Sequence, residues 1–522
     1  MSTLPQNFAS AEGLEALARQ PEGLRGLARG IEKESLRVAA DGSLSTLPHP
    51  PGLGSPLTHP SITTDFSESQ LELITGVHDT PEACLGELNH VHRFVYRQIG
   101  EELLWPSSMP CIVGPDAEIP IGRYGSSNVG LSKHVYRRGL GLRYGRLMQT
   151  ISGIHYNFSL PEAAWKSLGI TTQDEQTAAY FGLIRNFRRW SWLLIYLFGA
   201  SPAVCRSFTK NMQHNLQALD EGSMYLPYAT SLRMGPLGYQ STAQSSLHIS
   251  YNSLRQYADS MVEALTEKFP AYEAYGVKDA EGNYQQLNTT VLQIENEFYG
   301  TIRPKRRTLP GERPVTALRA RGVEYVEVRC LDLNPYLPVG IDAPQIRFLD
   351  TFLLLCLLAD SPPDSEAESN RMARNQVAVV EKGRDPELAL EVDEQGNTIA
   401  LHEWANHLLK ACRPIADLLD DVHAVEDYTT TLTSQFELVE HPNQTPSARV
   451  LQDMQQQAIP FFRFSMNKAI AHKQDFLNQP LDAAELALCV AQVRDSIARQ
   501  REMEAADVLS FSEYLQDFLA IP

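Results

Sequence analysis

Five short runs of this chain place acidic, amide, imidazole or guanidinium side chains two residues apart. They are Glu32/Glu34 in GIEKESLRV, Gln70/Glu72 in SQLELIT, His155/Asn157/Ser159 in GIHYNFSL, Gln293/Glu295/Glu297 in LQIENEFY and Glu327/Arg329 in VEYVEVR. Side chains alternate across a β-strand, so each set shares one face. In three runs the intervening residues are plainly apolar: Ile154, Tyr156 and Phe158; Ile294 and Phe298; Val326 and Val328. The pattern predicts strands with one face on a core and the other carrying carboxylates. A solvated face of an antiparallel sheet is the competing reading. Such a face normally mixes Lys, Thr and Ser with its acids, whereas here Glu dominates. A sheet face lined with hard oxygen ligands is what Mg²⁺ and a polyphosphate need.

The rest of the chain frames these strands. Residues 8–29 carry helical periodicity and lead into the first strand near Gly30, while 42–62 read as a Gly/Pro/Ser/Thr loop. A helix is expected from about Pro81 to Glu102, with Leu85, Leu88, Val91 and Val95 on its apolar side. Residues 105–150 read as an irregular stretch dense in Gly, Tyr and Arg, the kind of long loop that carries function. A further helix over 176–200 ends at LFGASP, and strands are expected near 288–299 and 322–333. The acidic, Ser/Pro-rich segment 361–372 reads as a linker, which places the chemistry in 8–360 and a helical region in 373–522.

Composition limits the function classes. Lys and Arg number 45 against 63 Asp and Glu, a net charge of −18, which argues against a nucleic-acid-binding surface but not against a nucleotide bridged by divalent cations. The seven cysteines are scattered without a CxxC, so neither a disulfide framework nor a structural zinc site is expected, and a reducing compartment fits better. The start MSTLPQNFAS has no signal-peptide pattern, and no apolar run is long enough to span a bilayer. The expectation is a soluble, cytoplasmic protein with no nucleic-acid or membrane partner.

Common phosphate-binding and nucleophile motifs are absent. There is no GxxxxGK[ST], no GxGxxG after a strand and no GxSxG. His402-Glu403 and His407 miss the zinc-protease helix spacing by one residue. The positive signal is IRPKR, where Arg303 and Lys305 follow an acidic run and suit the outer phosphates of a nucleotide. Glu327 and Arg329 share a face, as a metal ligand and a charge stabiliser would, although a structural ion pair gives the same pattern.

Taken in order, GIEKESLRV, TTDFSESQLELIT, SGIHYNFSLP, LFGASPA, ATSLRM with LGYQ, QIENEFYGTIRPKR and GVEYVEVRCLDLNP resemble the blocks of the proteobacterial glutamate–cysteine ligase family. The resemblance is detailed over about residues 20–340. It implies an α+β fold: a curved antiparallel sheet with helices on its convex side, similar to the glutamine synthetase catalytic fold, plus a helical C-terminal region. It implies ATP-dependent synthesis of γ-glutamylcysteine through γ-glutamyl phosphate, with Mg²⁺ (roughly two or three ions, Mn²⁺ as a substitute) as the metal. Glu32, Glu34, Asp65, Glu72, His155 and Glu327 match its metal and metal-proximal positions, and Arg329 the arginine facing the transferred phosphoryl group. Asp65 is also grouped with the substrate pocket of Phe66, Tyr136, Leu140, Gln149, Arg233, Tyr239 and Tyr299. Glu295 and Glu297 fit the acidic strand pattern without an assigned metal. The family reading adds glutathione as a feedback ligand, a monomeric state, and no second ATP-binding module. The alternatives are a related ligase using another amine, and a non-enzymatic acidic scaffold.

Overall fold

Residue alternation becomes strand pairing in the computed structural model, which describes residues 11–238, 242–245, 247–309 and 311–520. The strands are β1 (Ala28–Val38), β2 (Ile62–Thr64), β3 (Gln70–Ile74), β4 (Leu103–Leu104), β5 (Ile154–Ser159), β6 (Ile302–Lys305) and β7 (Tyr325–Leu331). They form one antiparallel sheet in the order β2-β3-β1-β5-β7-β6, with β4 beside the far end of β1. The register sets Glu32 opposite His155, Glu34 opposite Glu72, and Glu327 between Asn157 and Arg303. A slip of one residue would turn each of these side chains to the wrong face. In β7 the register shifts after Val328, so a bulge lies at Arg329.

The sheet is framed by helices α1 (Pro81–Gln98), α2 (Asn128–Tyr144), α3 (Gln173–Trp190) and α4 (Ala343–Leu358). Helices α1, α3 and α4 cover the apolar face, where Ile31, Ile154, Tyr156, Phe158, Val326 and Val328 are buried in one large core. Thr80 and Asp342 cap α1 and α4, each followed by a proline in the first turn. Helix α4 is apolar almost all round, and Asp350 is its buried charged residue. Asp350 accepts from the fully buried Arg29 of β1 at 2.9 Å and from the Tyr156 hydroxyl of β5 at 2.5 Å. Arg29 occupies the apolar face because it keeps the odd-numbered phase of Ile31.

Four sequence expectations are corrected. Residues 288–299 form no strand: Glu295–Glu297 is a single 3₁₀ turn, and the chain enters the sheet only at Ile302. Residues 105–150 are not wholly irregular, since they contain α2, started by the Ser127 side chain accepting from Gly130 N–H at 3.2 Å. Cys111 and Cys205 are joined as a disulfide with their Cα atoms 5.1 Å apart. A sequence separation of 94 residues leaves no local pattern that would reveal this pairing.

The proposed linker at 361–372 also gives way to a helix from Glu366. Beyond it come a short hairpin (Ala389–Glu391 with Thr398–Ala400) and helices α5 (Leu401–His423), α6 (Asp427–Glu440), α7 (Phe461–Asn478), α8 (Ala483–Ala506) and α9 (Phe511–Leu519). Apolar residues of α5 and α6 join the same core as α4. Among the described residues no helix is long and apolar enough to cross a membrane.

The Arg29–Asp350 pair generates a stability prediction. Removing one partner strands a buried charge, which costs roughly 3–5 kcal/mol. Asp350→Ala should lower the urea midpoint by that equivalent. An unchanged midpoint would show that the pair does not hold β1 to α4.

Candidate active site

On the polar face, β1, β3 and β7 bring their carboxylates together around the imidazole of His155 on β5. His155 Nδ1 lies 3.3 Å from Glu32 Oε2 and 3.8 Å from Glu327 Oε1, and its Nε2 lies 3.8 Å from Glu34 Oε1. One ligand atom each from Glu32, Glu72 and His155 falls within 4.8 Å of the others. Asn157 donates to Glu32 Oε1 at 2.9 Å, and Gly153 N–H to Glu34 Oε2 at 2.7 Å, which fixes both carboxylates. Lys305 Nζ is 3.2 Å from Glu327 Oε1, and Arg329 Nη1 is 3.7 Å from Glu327 Oε2.

Electrostatics divides this set in two. Burial pushes Glu34 up to about 7, helped by Asp65; burial and the charges of Glu32, Asp65 and Glu34 push Glu72 well above the usual carboxylate range. Burial would raise Glu327 too, but Lys305, Arg329 and His155 outweigh it and hold it well below that range. Glu327 Oε2 is buried and accepts no hydrogen bond. Converging carboxylates, mutual repulsion at Glu34 and Glu72, and an unsatisfied buried oxygen are the features that a hard divalent cation would relieve.

These side chains line a cavity of about 300 Å³. Each described site residue expected from the sequence reaches it: Glu32, Glu34, Asp65, Phe66, Glu72, Tyr136, Leu140, Gln149, His155, Arg233, Tyr299, Arg303, Lys305, Glu327 and Arg329. Tyr239 lies outside the described residues. Arg303 is buried and donates to the carbonyls of Asn296 and Phe298; Arg233 donates to Arg329 O at 3.1 Å. The two acids of the 3₁₀ turn separate. Glu295 turns away to Arg313 (2.8 Å), whereas Glu297 stays at the cavity, bonded to Arg143 (3.0 Å) and Tyr144 (2.5 Å).

Sequence reasoning missed Lys133, Arg137 and Tyr144, all on α2 and all lining the cavity. Burial, with Arg137 nearby, lowers the Lys133 ammonium to about 8. Arg137 donates to Asp65 O and stacks over Tyr124, 4.6 Å from the ring centre. With Tyr136 and Leu140 they recur every three or four residues, a one-faced helical pattern that could have been found in SKHVYRRGLGLRYG.

A family model described as glutamate–cysteine ligase matches residues 14–379, well over half of the chain. The chain belongs to the glutamate–cysteine ligase family. The glutamate–cysteine ligase of Alcanivorax borkumensis is 50% identical, over 95% of this chain and 96% of its own; that of Saccharophagus degradans is 47% identical, over 95% and 94%. The crystal structure of the Francisella tularensis glutamate–cysteine ligase in complex with AMP superposes with a TM-score of 0.90 at 38% identity, covering 95% of this chain and 97% of that one. A bifunctional glutathione synthetase of Pasteurella multocida shares the fold at a TM-score of 0.71 and 24% identity, with this chain spanning 54% of its length.

The raised Glu34 implies a pH-dependent stability. A carboxyl whose pKa is higher folded than unfolded stabilises the fold below its unfolded value, and that contribution is lost as pH rises through about 7. In EDTA, Glu34→Gln should therefore gain melting temperature over wild type as pH goes from 5 to 8. Added Mg²⁺ should stabilise wild type more at pH 8 than at pH 5. Parallel melting curves for the two proteins across this range would refute the assignment.

Proposed function

We propose that this chain uses ATP to join the γ-carboxylate of glutamate to the α-amine of cysteine, the first step of glutathione synthesis. The observation that carries the reading is a single sheet face. There the convergence of Glu32, Glu72 and His155 lies beside the cations Lys305 and Arg329 flanking Glu327.

A carboxylate does not react with an amine in neutral water, because oxide is its leaving group. Transfer of the ATP γ-phosphoryl group to a γ-carboxylate oxygen gives an acyl phosphate and ADP. The amine nitrogen then attacks the acyl carbon, phosphate departs with the C–O electron pair, and the nitrogen loses a proton. Phosphoryl transfer needs charge neutralisation and alignment more than acid–base chemistry. Glu32, Glu34, Glu72, His155 and Glu327 form the donor set for Mg²⁺, which when bound neutralises phosphate charge. Lys305 and Arg303 sit on β6 beside Glu327, where the outer phosphates would lie. Arg329 at the β7 bulge tracks the charge on the moving phosphoryl group.

Other residues lining the cavity suit two amino acids. Phe66, Tyr136, Leu140 and Tyr299 supply close apolar packing for a small side chain. Arg233, Arg137 and Lys133 supply cations for α-carboxylates, and Gln149 a neutral hydrogen-bonding group. Glutathione carries the same glutamyl and cysteinyl groups and is the natural feedback ligand for this pocket.

The direct test is phosphate release from Mg·ATP with glutamate, with and without cysteine, and the mass of the product. Phosphate without γ-glutamylcysteine would defeat the proposal. Within it, Arg329→Ala should lower kcat by roughly 10²–10³ with little change in ATP affinity, the scale for losing one preorganised donor. Arg329→Lys should recover little, since an ammonium cannot reproduce the planar fork. A normal kcat with a lowered melting temperature would make Arg329 only the ion-pair partner of Glu327. Glu72→Gln and Glu327→Gln should weaken the response to Mg²⁺, raising the concentration needed for half-maximal rate, more than they weaken folding; an unaltered Mg²⁺ response would leave these acids outside the metal site.

A further inference from the structure

Helix α2 is held from behind by the last two helices of the chain. Lys133, Tyr136, Arg137, Leu140 and Tyr144 turn one of its faces to the cavity. The other face meets α9, where Val135 joins Leu515 and Leu287 in a small apolar cluster of its own. The same cluster takes in Tyr136 from α2 and Phe511 and Phe518 from α9. Tyr284 packs edge-on against Phe511, with ring centres 5.0 Å apart.

The N-terminus of α2 is tied to the same region. The Ser127 side chain accepts from the N–H of Gly130. The N–H groups of Ser126 and Asn128 donate instead to Glu504 (2.8 Å) and Asp507 (2.5 Å), and the Asn128 side chain donates to Leu509 O at 3.0 Å. Without these partners two amides at a helix start would be left to solvent, and the acidic side chains also suit the positive end of the helix dipole. Helix α8 reaches the neighbouring wall as well. Ser496 Oγ accepts from Ser55 N–H at 3.0 Å, and Gln500 accepts from Ser55 Oγ at 2.5 Å, in the loop that leads to β2 and Asp65.

We infer that α8 and α9 position α2 over the sheet, with Asp507 and Leu515 as positioning residues for amino-acid binding. The segment lies beyond the 14–379 stretch that the family model matches. The inference rests on reading the cavity as the glutamate and cysteine site. Helix α2 has glycine at 130, 139 and 141 and few apolar residues, so its placement comes from what it packs on and not from its own stability. Lys305, Glu327 and Arg329 belong instead to β6 and β7, whose apolar sides are anchored in the opposite core. Displacing α9 therefore acts more on the amino acids than on the nucleotide.

The test uses the full-length enzyme. Asp507→Ala and Leu515→Ala should raise the KM for glutamate or cysteine by roughly five- to thirtyfold, the factor that corresponds to about 1–2 kcal/mol. The KM for ATP should stay within about twofold of wild type. Asp507→Asn keeps an acceptor for the Asn128 amide and should stay near wild type. Leu390→Ala, in the 389–400 hairpin, should lower the melting temperature without raising either amino-acid KM. Hydrogen exchange needs no substrate: it should rise across 128–144 in Asp507→Ala and not in β1 or β5. If wild type makes no γ-glutamylcysteine, the functional reading fails, and the exchange result still decides the positioning role. Unchanged amino-acid KM values, equal rises for all three substrates, or unchanged exchange in α2 would each overturn it.

Discussion

Repulsion among carboxylates on one sheet face is the constraint to which the rest of this structure answers. Glu32, Glu34, Glu72 and Glu327 would not share a small volume unless the backbone forced them to, and antiparallel pairing does so. The hydrogen-bond ladders of β3, β1, β5 and β7 fix the register, and the register fixes which side chains meet. What the strands hold together, cations must neutralise. Lys305 and Arg329 do this at Glu327, while Glu34 and Glu72 are left with raised affinity for protons and, by the same logic, for a divalent metal.

Holding such a face rigid requires a strong grip on the other side. The apolar face is packed against α1, α3 and α4, and the Arg29–Asp350–Tyr156 contact joins β1 and β5 to α4 through the middle of that core. The contact adds direction to an otherwise non-directional apolar packing. It ties together the two strands whose polar faces carry Glu32 and His155. Precision on the active face thus begins with a buried ion pair on the opposite one.

Much of this arrangement is legible in the amino-acid sequence. Period-two alternation marks β1, β3, β5 and β7 and their polar residues, because a half-buried strand must segregate its faces. The same alternation misleads at Gln293/Glu295/Glu297. A 3₁₀ turn there sends Glu295 to Arg313 and Glu297 to Arg143, and three residues are too few to distinguish a turn from a strand. Helix α2 is hidden for a different reason. Its glycines and arginines read as loop, and it lacks the broad apolar stripe by which a helix is usually recognised.

The sequence alone determined which side chains share a face, since alternation is a local property of the backbone, and it carried enough family-specific blocks to indicate the chemistry. Only the tertiary structure decided which faces meet. The 3.3 Å contact between His155 and Glu32 joins residues 123 positions apart, and Asp507 reaches Asn128 across 379. Such distances depend on strand order and helix packing, which arise from burying apolar surface across the whole chain and have no local signature. For the same reason the spacing of Lys133 and Arg137 marks a shared helix face, and only the placement of α2 over the sheet turns that face to the cavity.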